Sequence, residues 1–503
     1  MKVKLAVVAV FMMAMSYVAP GMTADSVGKV LYVKGVATAH QDNADGAAQG
    51  TRFLGVDQAL FEGDVLTTSK AGFAIIQMAD QGKITLRPNT VFKVETYRYQ
   101  ADGDADQNKG VLKLFRGGVR AVTGLINKRN PESGLQLQSP VATLGIRGTE
   151  FDTRLCRNDC ARENSKLKPV KQVRPRVVGR IAFARGKVNV YGAGGAVRGG
   201  VTGTALFRRD EVETLVGASA VLVFRDNTRI TVRPNTRMKV DRFRFRDTQV
   251  KRNNSVFSLL RGGLRVVTGL VARRDRQQFR LNTPVAVVGV RGTNFDVRCE
   301  GQCANAQPQA AFPDDGLELI RKALAFILQP AFAQPSFNFN TNLAVYTRQG
   351  ETSLQLPDQP PFVIPQGRVG SVAIGELLPR LLPGVPLAFL NDATVRPETV
   401  APQVQQRFGQ QRVDTDRPGQ YTVVFKGDVE VRRPGQPPLN LGRGESGFTG
   451  QLDDKPVRLP RIPKFIFQDD TPVPDQLDTD SGAVLEDSSL QNKLIRDDRN
   501  ECN

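Results

Sequence analysis

The sequence predicts an all-β protein built from two tandem copies of one β-rich unit, sandwich- or solenoid-like, with a short helix, a C-terminal β module and a flexible tail. Three observations predict it. First, the chain repeats itself: "RPNT" at Arg87 returns at Arg233, "RGGVRAVTGL" from Arg116 returns as "RGGLRVVTGL" from Arg261, and "PVATLGIRGTEFDTR" from Pro140 returns as "PVAVVGVRGTNFDVR" from Pro284. The offsets are 233 − 87 = 146, 261 − 116 = 145 and 284 − 140 = 144, three ordered matches with almost no drift. A period this long exceeds that of small solenoid repeats, so each copy is expected to have its own core. Second, "KITLRP" and "RITVRP", like "FKVETYRY" and "MKVDRFRF", alternate apolar and polar residues between Pro, Asn, Gly and Asp, the pattern of strands. Third, Gly117 with Gly118 and Gly262 with Gly263 interrupt β-branched runs, where a turn or bulge with positive φ is expected.

Along the chain, Met-Lys-Val-Lys precedes an apolar run from Leu5 to Val18, then Pro20, Gly21 and small residues to Ala24. This is the pattern of a secretory signal peptide cleaved at Ala24, giving residues 1–24 as the leader and Asp25 as the mature start. The run is shorter than the roughly 20 residues that span a bilayer, and no later stretch is apolar enough to stop transfer. No cysteine follows it, which excludes a lipoprotein anchor. The expected product is a periplasmic or secreted bacterial protein without a transmembrane helix. Residues 25–156 form the first unit, 157–176 a linker and 177–303 the second unit. In the second, Phe243 and Phe245 should face inward, with Arg242, Arg244 and Arg246 on the opposite face. Residues 304–339 are a linker with a short helix over 317–328, stopped by Pro330. Strands resume over 340–450, either completing a repeated unit or forming a separate module. Residues 451–503 form an extended, largely flexible tail, acidic from Asp469 onward; it is either solvated or folded over the cationic face of the second copy.

The chain has 69 Lys and Arg against 50 Asp and Glu, and without the two leader lysines the excess is 67 − 50 = +17. From Arg198 to Glu300 there are 21 basic and 9 acidic residues. Such a field attracts anionic polymers. In an exported chain the candidates are envelope polysaccharide, lipid headgroups or an acidic envelope protein, and not nucleic acid; a solvated basic surface accounts for the same charge.

Catalytic chemistry has little support. The sole histidine, His40, lies in the polar stretch "AHQDNADGAAQG", read as a loop, so no histidine triad or multi-histidine metal site can be built. Nothing matches a P-loop or GxGxxG spacing, and no cofactor is expected. No carboxylate pair stands out for acid–base work. Cys156 and Cys160 follow the first RGT motif, and Cys299 and Cys303 follow the second. Their duplicated spacing and export favour two local disulfides over a zinc site, which lacks the CxxC knuckle. Cys502 is left over. Arg147 with Asp152, and Arg291 with Asp296, recur in the RGT segments and read as ion pairs first and ligand contacts second.

Taken in order, "VGKVLYVKGVATA", "FEGDVLTTSKAGFAIIQMADQGKITLRPNT", "FRGGVR" and "VATLGIRGTEF" resemble the FecR domain, and "VGRIAFARGKVNVYG", "RDNTRITVRPNT", "LRGGLR" and "VAVVGVRGTNF" resemble it again. The resemblance covers about half the chain. It implies an all-β periplasmic module without catalytic chemistry. The founding member carries a signal from an outer-membrane transporter to a cytoplasmic sigma factor. This sequence departs from that plan in having no cytoplasmic segment or spanning helix, so sigma-factor regulation is not carried over. The expected role is an envelope binding or scaffold protein for an anionic polymer or envelope protein, or alternatively a periplasmic component of a signalling system acting through a separate membrane receptor.

Overall fold

The computed structural model describes residues 25–476, apart from 43–47, 168–175, 300–341 and short breaks at 132, 158, 194, 374–375, 377, 415–416, 452–453, 468–470 and 473. The leader with Ala24, the helix read over 317–328, Cys303 and Cys502 lie outside the described residues. Among the described residues two sheets of 15 strands each dominate, so the fold is all-β, and the helices described between strands are short.

Each sheet folds over itself because its longest strands bend at glycines. Lys109–Val122 pairs through its first half with Val91–Arg98 and Leu135–Gln138, and through its second half with Lys83–Leu86 and Thr143–Cys156. The change of partners falls at Gly117, whose φ of 80° places it in the left-handed region. A Cβ there would lie 2.6 Å from the Thr90 Cα, so both conformation and space require glycine. Gly262, with φ 88°, repeats this in Asn254–Val267. The glycine pairs are thus bends inside one continuous strand, and the two halves of each sheet enclose an apolar core.

The strands that carry the RGT motifs, Thr143–Cys156 and Val287–Cys299, have a further neighbour on their outer side. For the second it is Asn342–Gln355, the next described strand. For the first it is Gly419–Arg432, reached only after the second unit has been completed. The strands beyond residue 340 therefore divide between the two sheets, each supplying a closing hairpin. Val424, Val429, Val431, Leu439 and Leu441 pack in the first core, and Leu343, Val345, Leu354, Ile364 and Val372 in the second. The second unit is nested inside the first. Further on, Val457–Leu459 pairs with Ser446–Gly450, and Phe465 and Ile466 are buried beside Cys156 and Cys160.

Phe243 is buried and Phe245 half-buried against the second core, while Arg242, Arg244 and Arg246 are exposed, as period-two alternation requires. His40 differs from its reading as a loop residue. It lies in the strand Ala37–Asp42, opposite Val65, because pairing on both sides with Asp64–Thr68 and Ala48–Phe53 outweighs the polar composition of the segment.

Candidate functional site

The repeated charged residues converge on one buried node in each unit. Asp152, on the RGT strand, faces Arg120 across the ladder and accepts from its Nε at 2.8 Å; it also pairs with Arg87 of the "RPNT" segment. All three side chains are buried. In the second unit Asp296 takes Arg265 Nε at 2.8 Å and Arg233 at 2.5 Å, and adds Arg348 from the closing strand. Asp392 then supplies a second carboxylate, 2.8 Å from Arg233. Burial pulls the guanidinium pKa of Arg87 and of Arg233 down to about 10, with the facing aspartates opposing it and neighbouring arginines adding to it.

Arg147 was expected beside Asp152. It instead pairs with Glu430 of the closing strand at 2.6 Å and donates to the Thr202 carbonyl at 2.8 Å. The reason is geometric: Gly148, with φ 58°, bends the RGT strand between the two residues and turns them to different neighbours. The side chain of Arg291 lies outside the described residues, although its backbone stands opposite Glu351. The true partners, Arg87 and Arg120 in one unit and Arg233 and Arg265 in the other, are themselves repeated residues, so the duplication carried their signal.

Cys156 and Cys160 form a disulfide, with S–S 2.01 Å. It is buried with Tyr421, Phe448, Phe465 and Ile466, so it joins the RGT strand to the closing hairpin's apolar floor. Cys299 is disulfide-bonded; its expected partner Cys303 is outside the described residues.

The two units are fixed to one another by a second buried network. Arg180, on the first strand of the second unit, pairs with Glu445 of the first unit's closing hairpin, and Arg458 lies 3.0 Å from the same carboxylate. Burial would raise the Glu445 pKa, but the two guanidiniums outweigh it and hold it below the usual range. Val177, Ala205, Phe207 and Phe408 form an apolar cluster beside this network. Arg225 stacks over Phe408 at 4.9 Å.

Exposed cations remain on the second unit, where Arg176 is close enough to Arg244 and Arg246 for burial and their repulsion to lower its pKa. Among the described residues no group of three or more His, Cys, Asp or Glu could hold a metal, and no helix is long and apolar enough to cross a membrane. A cavity in the first core, lined by Met78, Phe92, Tyr97 and Phe151 among others, has a volume of about 10 Å³, space for one water. The described start of the acidic tail lies on the first unit: Pro472 accepts from Thr85 Oγ1 at 3.1 Å, and Thr471 accepts from Arg120.

The FecR family, described as "FecR protein", matches residues 64–192 and 210–307. No curated protein matches the chain. Among solved structures the chain is similar to two of a "putative anti-sigma factor" from Parabacteroides distasonis ATCC 8503, at 2.50 and 1.65 Å resolution, each 15% identical. The first likeness has a TM-score of 0.22 and covers 35% of this chain and 59% of that one; the second has 0.23, 42% and 83%. FecR is a non-catalytic regulatory domain of the cell envelope, and the family match supports that location and a non-enzymatic role. Each matched stretch takes in the RGT strand of one of two units built to one plan, so the chain carries FecR domains in tandem, matched over less than half of its length.

Proposed function

We propose that this protein is an exported, non-catalytic component of an envelope signalling system, which acts by binding a separate membrane receptor or another envelope protein. The observation that carries this reading is the match of both units to the FecR family. The buried Arg180–Glu445 junction supports it, because two modules held at a fixed spacing offer one extended surface to a protein partner. Three of the second unit's arginines are also turned inward: Arg233, Arg265 and Arg348 are bonded to Asp296 and are not available to a ligand. The test is cross-linking of the protein in intact envelopes, with transcription compared between the parent and a strain lacking the protein. Capture of a membrane receptor together with a lost transcriptional response supports signalling; an unchanged transcriptome with no receptor captured removes it.

A second reading, an anionic polymer as ligand, is favoured by the exposed row Arg242, Arg244 and Arg246 beside Arg176. Co-sedimentation with cell-wall, outer-membrane and surface-polysaccharide fractions across a salt series tests it. Retention that weakens with salt and is lost in Arg244→Ala/Arg246→Ala supports polymer binding. No retention at low salt leaves the protein partner as the only reading.

A further inference from the structure

Four arginines from three separate segments gather at one end of the second unit's sheet. Phe224 and Phe243 stack in the core with ring centroids 5.4 Å apart, so Arg225 and Arg244, each one residue further along the chain, turn to the opposite face. Arg225 donates its N–H to the Val178 carbonyl at 3.1 Å and its Nε to the Val177 carbonyl at 2.5 Å, which brings it beside Arg176, the residue before Val177. Arg176 in turn feels the charges of Arg244 and Arg246. Among the described residues none of the four is ion-paired: Glu445 is held by Arg180 and Arg458, and Asp247 by Arg274. Arg225 is half-buried against Phe408, and its two Nη groups have no hydrogen-bond partner among the described residues. Burial, then the repulsion of Arg176, pulls its pKa down to about 10, with Glu445 opposing. The cluster therefore carries a desolvation and repulsion cost that no described carboxylate offsets.

The fold itself does not call for these cations. Gly28 stands opposite Met78 as Gly179 stands opposite Phe224, so Arg225 corresponds to Ala79, and the two N–H groups donate alike to Val178 and Val27. By the same register Arg176 corresponds to Asp25. Arg246 corresponds to Gln100, since the backbone N–H of each donates to an asparagine side chain, Asn253 or Asn108. Only Arg244 has a basic counterpart, Arg98. The first unit forms the same strands with an acid, an alanine and an amide where the second places three arginines.

We propose that this end of the second unit binds a phosphomonoester or diphosphate group, with Arg225 and Arg176 as its main donors and Arg244 and Arg246 at the rim. One carboxylate fills one guanidinium fork, whereas such a phosphate brings nearly two charges and three or more oxygens to several forks at once. Arg225 makes the strongest of these bonds, because its partial burial shields its N–H groups from water. The site deepens the polymer reading above, whose exposed row it shares, but it turns on Arg225 and Arg176 and needs no polymer.

The test is calorimetric titration of the mature full chain with inorganic pyrophosphate, beside flotation with phosphatidylcholine vesicles that contain phosphatidic acid. Both are run at physiological ionic strength, where unspecific attraction is screened. The expected result is saturable binding of pyrophosphate, of the vesicles or of both, weakened about tenfold or more in Arg176→Ala and in Arg225→Ala. Arg225→Lys keeps the charge but loses the fork, and should weaken binding too. Arg98→Ala, the matching exposed position of the first unit, should leave it unchanged. Arg176 is exposed and makes no described hydrogen bond, so Arg176→Ala should melt with the parent and keeps the test decisive if Arg225→Ala misfolds. Binding of pyrophosphate assigns a soluble phosphate ester, and binding of the vesicles alone assigns a lipid headgroup. Failure of both probes, binding of the carboxylate polymer polygalacturonate in their place, or binding unaffected by Arg176→Ala would overturn the proposal. Envelope polymer retained despite that result leaves the polymer reading intact, while pyrophosphate bound with no polymer retained removes that reading and keeps the site.

Discussion

Thr153 donates its hydroxyl to the backbone carbonyl of Tyr421, 3.1 Å away and 268 residues further along the chain. Between them lies the whole second unit. The bond lies along a ladder that runs from Thr143 opposite Arg432 to Cys156 opposite Gly419, so the first unit is completed by a strand synthesised after the whole second unit.

Ending the chain at residue 418 should therefore unfold the first unit, which loses Val424, Val429, Val431, Leu439 and Leu441 from its core. A fragment spanning 177–400 contains every described strand of the second unit and should fold alone. Amide exchange of the two truncations measures this; native-like protection in the first unit of the 418 truncation would refute it.

Replacing Asp296 by Asn removes the carboxylate that Arg233, Arg265 and Arg348 share, leaving Asp392 to face Arg233 and Arg265 alone, and the expected loss is about 3–5 kcal/mol. Asp152→Asn should behave similarly. The exposed pair Lys29–Asp57 provides the contrast, with Asp57→Asn shifting stability by less than about 1 kcal/mol. Urea unfolding of the three variants gives the ranking.

Gly262→Ala places a side chain on a residue with φ 88° and within 2.6 Å of the Thr236 Cα. The expected destabilisation is about 3 kcal/mol, while alanine at the open, negative-φ Gly55 should be tolerated. Comparison of their melting temperatures tests the bend.

Acid should loosen the junction between the units. Glu445 has a folded pKa below its unfolded value of about 4.3, so its contribution is complete above that pH and is lost as pH falls through the folded value. Asp428 has the opposite sign, since burial raises its pKa despite nearby arginines. Comparing the parent with Glu445→Gln isolates the first effect: the variant should be less stable at neutral pH and should have a flatter acid limb. Equal acid slopes in the two proteins would show that Glu445 is not the group responsible.

Reducing the Cys156–Cys160 bond should lower stability by about 2 kcal/mol, the loop-closure value for so short a span. The first segment to lose amide protection should be the helix Asp159–Lys166, which carries Cys160.

The duplication, strand character, glycine bends and inward phenylalanines were legible because each is local or repeats at a fixed offset. The partners of Asp152 were legible in principle, since Arg87, Arg120 and Asp152 all recur as Arg233, Arg265 and Asp296. Nearness in sequence pointed to Arg147, and only the bend at Gly148 shows why it turns away. The crossed closing strands could not be assigned from sequence. "YTVVFKGDVEVRR" and "NLAVYTRQGETSLQL" are both plain strands, and nothing local states which RGT strand each will flank. Even the first family match, over 64–192, runs on into the opening strands of the second unit, whereas in space the first sheet closes with Gly419–Arg432.

The nesting also fixes how the molecule bears tension. The first described strand, Gly28–Lys34, and the last, Val457–Leu459, both belong to the first sheet. A pull applied through the segments flanking them is therefore carried by the first unit's ladders alone. The second unit hangs from that sheet as a side loop, outside the load path, and keeps its shape until the strand at Thr143–Cys156 has parted from its distant neighbour.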